Sequence, residues 1–146
     1  MSNVVVSFYT DRPKTGKSCV LVKEDGIVKK LKYIPINSED ANIKKELLVA
    51  LNTGLLFAKN FAKHDGVLLI EVPNQHLCNW LEEKEEKEGY GELLNKVFES
   101  LEDIDSTYMF YFKKKNSAYM AIEREYKTTE KEEMSSLDSV FGNLEE

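Results

Sequence analysis

A mixed α/β fold, one five-stranded sheet with helices on its faces, is predicted by three observations. Three strand-length runs come first, joined by short turns. A long helical pattern with one apolar face follows. Two short apolar or aromatic runs come later, each reached through helical stretches. The predicted order is β-β-β-α-β-α-α-β-α, and nothing repeats internally.

Each element has a local reason. Val4 to Tyr9 is β-branched and aromatic, and Thr10-Asp11 with the Arg-Pro-Lys-Thr-Gly-Lys that follows is turn chemistry. Ser18 to Lys23 and Ile27 to Ile36 flank Glu24-Asp25-Gly26, and an Asp-Gly pair marks a hairpin because both residues tolerate positive φ. Ser38 is the expected cap of a helix whose buried face is Ile43, Leu47, Leu48, Leu51, Leu55, Ala58 and Ala62, closed by Asp65-Gly66. Val67 to Ile70 has the unbroken apolar character of a parallel strand. Asn74 caps a helix carrying Leu77, Trp80 and Leu81, and a second helix from about Gly91 to Leu101 presents Leu94, Val97, Phe98 and Leu101. Between them Glu82 to Glu88 reads as a solvated helical surface. Tyr108 to Phe112 is the fifth strand, and Ser117 to Tyr126 the last helix.

Length and composition agree with a single domain: 146 residues, 42% hydrophobic and 32% charged, support one core. No apolar stretch approaches the roughly 18 residues that cross a bilayer, and no secretory apolar region precedes Asp11, so a cytoplasmic protein that does not engage membranes is expected. Cys19 and Cys78 are too few for a disulfide framework, and with His64 and His76 they form no closed zinc site of the common kinds. Both read as core thiols. His64 reads as a helix-end residue, while His76 and Cys78, two apart on a helix, point to different faces.

The net charge of -6 argues against a generic basic grip on nucleic acid. Residues 127–146, however, carry two lysines against six acids, a net of -4, which leaves -2 on the body. Local basic clusters therefore remain open to it. Arg12, Lys14 and Lys17 form one in the first turn, and Lys113, Lys114 and Lys115 a second after the last strand; either can face solvent or touch phosphates. Thr15-Gly16-Lys17-Ser18 carries the end of a phosphate-binding P-loop, but Asp11 stands where that motif requires its first glycine. The strand-like Cys19-Val20-Leu21-Val22 follows instead of a helix, so nucleotide hydrolysis is not expected.

Tyr9-Thr10-Asp11 at the end of the first strand and Glu46-Leu47-Leu48-Val49-Ala50-Leu51 in the first helix resemble the two opening motifs of the ribonuclease H family. The order of elements from Val4 to Tyr126 matches that family as well. The resemblance implies a ribonuclease H-like sheet and four carboxylates holding two Mg²⁺ or Mn²⁺ ions, one activating water and the other stabilising the leaving oxygen. Asp11 matches the first acid and Glu46 the helix acid. At the third position, Val72-Pro73-Asn74-Gln75-His76-Leu77 puts Pro73 in place of an aspartate, and Glu71, two residues earlier on the same side of the strand, is the candidate replacement. At the fourth, Asn116 to Arg124 puts Met120 in the acid position, with Glu123 the nearest carboxylate.

Two functions follow from this incomplete set. One is metal-dependent phosphodiester hydrolysis in RNA·DNA hybrids, with Asp11, Glu46, Glu71 and Glu123 as the catalytic acids and the first three as metal ligands. The other is an inactive ribonuclease H-fold adaptor, needing no cofactor, that binds a replication or transcription protein. For the second, residues 127–146 form an acidic tail ending in Leu137, Val140, Phe141 and Leu144 at i, i+3, i+4 and i+7, the spacing of a groove-docking face. The segment also resembles the C-terminal peptides by which replication proteins bind a sliding clamp. The alternative is that it packs on its own domain.

Overall fold

Alternation of buried and less buried side chains along β1 (Asn3–Asp11) places it at the centre of the sheet, with its even-numbered residues Val4, Val6 and Phe8 fully covered. The computed structural model describes residues 3–11, 15–36, 42–63, 65–84, 87–104, 106–125 and 127. The other elements are β2 (Lys17–Glu24), β3 (Ile27–Pro35), α1 (Ile43–Ala58), β4 (Val67–Val72), α2 (Gln75–Glu83), α3 (Gly91–Ile104), β5 (Thr107–Phe112) and α4 (117–125). This is the predicted order.

The strand order is β3-β2-β1-β4-β5. β1, β2 and β3 pair antiparallel, and β4 and β5 join as parallel strands. Both residues of the β2–β3 turn have positive φ, 50° at Asp25 and 84° at Gly26, as the Asp-Gly signal requires. Among the described residues no helix is long and apolar enough to cross a membrane.

The larger core lies between one face of the sheet (Val4, Val6, Phe8, Val20, Val22, Leu68, Ile70, Val72) and helices α1, α2 and α3. Gly54 is what lets α1 sit so close. A Cβ there would stand 2.5 Å from Val20 Cγ2 and 2.9 Å from Val6 Cγ1. A smaller core on the opposite face joins Cys19 and Leu21 to Ala118, Ala121 and Ile122 of α4. The sheet is thus covered on both sides, and each residue of β1 belongs to one side by parity.

Several local expectations are corrected. Position 38 lies outside the described residues, and the cap of α1 is Asn42, whose side chain accepts from the Lys45 N–H at 3.1 Å. Ile43 is exposed, and the helix ends at Ala58, so Ala62 packs against the core from beyond it and Asp65-Gly66 belongs to the turn into β4. The acidic run does not extend the second helix. α2 stops at Glu83, where Lys84 adopts a left-handed conformation with φ 52°. Both cysteines are buried, and His76 is exposed while Cys78 is not. His64 lies outside the described residues.

Candidate functional site

The C-terminal end of β1 gathers polar groups on both sides of the sheet. On the α1 side, Ser18 Oγ donates to Thr10 Oγ1 at 3.0 Å, and Thr10 Oγ1 donates to Glu46 Oε2 at 3.1 Å. Glu46 is 8% exposed, so it faces the sheet rather than solvent. Asp11 has the opposite parity and lies across from Lys17 in the antiparallel register. Lys17 Nζ sits 2.9 Å from Glu125 Oε1 of α4 and 5.8 Å from the centre of the Tyr33 ring. The turn beyond Asp11 folds back on it: Gly16, at φ 67°, donates its N–H to the Asp11 carbonyl at 2.9 Å, and Thr15 Oγ1 donates to the same oxygen at 3.1 Å. Lys17 opens strand β2, so the Gly-Lys-Ser sequence forms no helix N-terminus. Arg12 and Lys14 lie outside the described residues.

Glu71 is held elsewhere. Ser7, Glu71 and Tyr111 are register neighbours on β1, β4 and β5. The Ser7 hydroxyl donates to Glu71 Oε1, and the Tyr111 hydroxyl donates to Oε2 at 2.6 Å. Lys113 Nζ lies 3.4 Å from the same Oε2. Burial pushes the Glu71 carboxyl up, but the Ser7 and Tyr111 hydroxyls and the Lys113 ammonium outweigh it, and the group is held below its ordinary value. Burial, then the bond to Glu71 and its charge, push the Tyr111 phenol well above its ordinary value, consistent with a phenol that keeps its proton. Just beyond this layer the β1–β4 pairing ends. Asn116, fully buried, spans the splay: its Nδ2 donates to the Phe8 carbonyl at 3.0 Å and the Glu71 carbonyl at 3.1 Å, and its Oδ1 accepts from the Tyr119 N–H at 2.9 Å.

Of the three residues expected to hold metal, Glu71 therefore stands apart from Asp11 and Glu46. Glu46 lies on the α1 side and Glu71 on the α4 side. Ser7, which holds Glu71, is four residues from Asp11, roughly 13 Å along an extended strand. Among the described residues no group of three or more Asp, Glu, His or Cys side chains is placed to hold a metal ion. A two-ion centre needs such convergence, and this donor set does not fit one.

Helix α4 turns Ala118, Ala121 and Ile122 to the sheet and leaves Met120 49% exposed, beside Leu21, Lys23, Val28 and Leu31. Met120 is thus not beside Asp11. The α4 carboxylate that reaches the end of β1 is Glu125, through Lys17, whereas Glu123 is half-buried. Extending the buried spacing 118, 121, 122 by three residues gives 125, so helical periodicity could have singled it out. Of the second lysine cluster, Lys113 leans on Glu71 while Lys114 and Lys115 are exposed. Leu137, Val140, Phe141 and Leu144 lie outside the described residues. A further cluster was not singled out from sequence. Lys44 and Lys87 place their ammonium groups 5.2 and 5.3 Å from the Trp80 ring centre, and Tyr90 packs at 5.1 Å.

No protein-family model matches the chain, and no curated protein matches it significantly. Solved structures do. The ribonuclease H1 of the halophilic archaeon Halobacterium salinarum superposes with a TM-score of 0.57 at 18% identity, over 82% of this chain and 92% of that one. The N-terminal ribonuclease H domain of a Mycobacterium tuberculosis protein, solved as a fusion with maltose-binding protein, gives 0.57 at 13% identity, over 80% and 92%. A ribonuclease H1 isolated from compost by a metagenomic approach gives 0.55 at 11%, over 80% and 89%. The chain has a ribonuclease H-like fold, as the Tyr9-Thr10-Asp11 and Glu46 motifs implied.

Proposed function

We propose that this chain is a ribonuclease H-fold nucleic-acid-binding protein whose working activity is binding rather than two-metal hydrolysis. The observation that carries the reading is Glu71: its carboxylate is engaged by Ser7, Tyr111 and Lys113 on the side of the sheet opposite Glu46. Releasing it toward Asp11 would cost a buried carboxylate its donors. The class of ligand is inferred from the solved neighbours, which are named as ribonucleases H. Trp80 with Lys44 and Lys87 supplies an aromatic face with cations suited to a phosphate backbone.

The test uses the full chain and an end-labelled RNA·DNA hybrid, with Mg²⁺ or Mn²⁺ present. Binding by fluorescence anisotropy is expected, weakening as salt rises and on Lys44→Glu with Lys87→Glu, and the hybrid stays intact. Cleavage abolished by Asp11→Asn would overturn the non-hydrolytic reading. Absence of binding to hybrid, duplex or single strands at low salt would overturn the nucleic-acid reading.

A further inference from the structure

The second face of the sheet carries a groove that the proposed function does not use. Its floor is Leu21, Val28 and Leu31 of β2 and β3, and its wall is Met120 and Ala121 of α4. Val28, Leu31 and Met120 are 49%, 42% and 49% exposed, which leaves three sizeable apolar side chains side by side in water. The rim is cationic: Lys23, Lys113, Lys115 and Arg124 line the groove, and among the described residues no carboxylate does. Lys23 donates to Ser117 Oγ at 3.0 Å and Lys113 leans on Glu71, but Lys115 and Arg124 have no carboxylate partner among the described residues.

The occupant must combine aliphatic or aromatic side chains with negative charge. Single-stranded nucleic acid meets only half of that, because its bases want aromatic platforms and among the described residues none lines this groove. An acidic apolar peptide meets both. The chain carries one of its own: residues 128–146 hold six acids against Lys131, interspersed with Leu137, Val140, Phe141 and Leu144, and they follow the helix that forms the groove wall. Reach is ample. The ten residues from Lys127 to Leu137 can extend to about 33 Å, whereas α4 is only about 14 Å long.

We infer that the groove between α4 and the β2–β3 hairpin is the docking site of the chain's own C-terminal segment, with Phe141 and its apolar neighbours over Val28, Leu31 and Met120 and the acids against Lys115 and Arg124. Tethering makes the contact intramolecular, so modest affinity suffices, and the same contact withholds the segment from any outside partner.

A nitroxide attached at Ser139→Cys of the full chain tests this, since Cys19 and Cys78 are buried and the new thiol is the one that labels. Amide signals of Val28, Leu31 and Met120 are expected to lose at least half their intensity, and Lys115→Glu with Arg124→Glu, both at the surface, should restore them. Broadening confined to other surfaces, or absent, overturns the assignment. So does broadening that appears when labelled chain is mixed with isotope-enriched unlabelled chain at equal strength, because the contact is then between copies.

Discussion

The Tyr111 phenol and the Glu71 carboxylate face each other across adjacent parallel strands, with the hydroxyl donating to Oε2 at 2.6 Å. The bond is made to a charged acceptor that is nearly inaccessible, and such bonds contribute about 1.5–3 kcal/mol. Tyr111→Phe should lower stability by that order near neutral pH. The pH dependence is specific. Glu71 is held below its ordinary value of 4.5, so it adds stability that is complete above that value and is lost as pH falls through its lowered folded value. Without Tyr111 the carboxyl rises toward its ordinary value and the acid limb of the stability curve flattens. Urea unfolding of both proteins between neutral and acidic pH measures this, and parallel curves would contradict it.

Gly54→Ala sets two effects against each other. Alanine favours a helix interior over glycine by about 1 kcal/mol. Its methyl group, however, would lie 2.5 Å from Val20 Cγ2 and 2.9 Å from Val6 Cγ1, and overpacking of a filled core costs about 1–3 kcal/mol. A lower melting temperature is expected. A rise would mean that α1 has room to move away from the sheet.

These two sites also mark how far the sequence could be read. The hairpin was legible because Asp25-Gly26 encodes its own φ values, and the parallel placement of β4 because Val67 to Ile70 is apolar on both faces. Asp11 and Glu46 could be placed at the end of β1 because each belongs to a motif in an identifiable element. The surroundings of Glu71 were not legible. They depend on Ser7 and Tyr111, which are 64 and 40 residues away in sequence and are brought beside it by parallel register. No local pattern encodes that register. The outward direction of Met120 was open to a different kind of reading, since the helical spacing that turns Ala118, Ala121 and Ile122 inward leaves position 120 outside.

Neither cysteine should react in the native protein. Burial first, then the charge of Glu125, pushes the Cys19 thiol up to about 12, and burial with the bond to Glu82 does the same for Cys78. The nucleophile is the thiolate, which is then scarce at mildly alkaline pH. A disulfide reagent should release no colour from the folded chain at pH 8 and two equivalents after denaturation, matching the two cysteines. Rapid release of one equivalent from the folded chain would show that one of these elements opens readily.

Asn116 provides the most discriminating substitution. Its Nδ2 donates to two backbone carbonyls where β1 and β4 part, while its Oδ1 caps α4 on the Tyr119 N–H. Asn116→Asp keeps the cap and replaces the donors with an oxygen facing two carbonyl oxygens. An unpaired charge buried in this way costs roughly 3–5 kcal/mol. Protonation relieves the charge and restores one donor, so the new carboxyl should titrate above the unfolded value of about 3.9. The sign is then opposite to that of Glu71: the variant loses stability as pH rises above that value, until its own folded pKa is passed. Asn116→Ala removes the same donors without adding a charge, and its loss should not follow this curve. Equal, pH-independent losses in the two variants would mean that Asn116 does not bridge Phe8 and Glu71, and that the two strands are held at this point by something else.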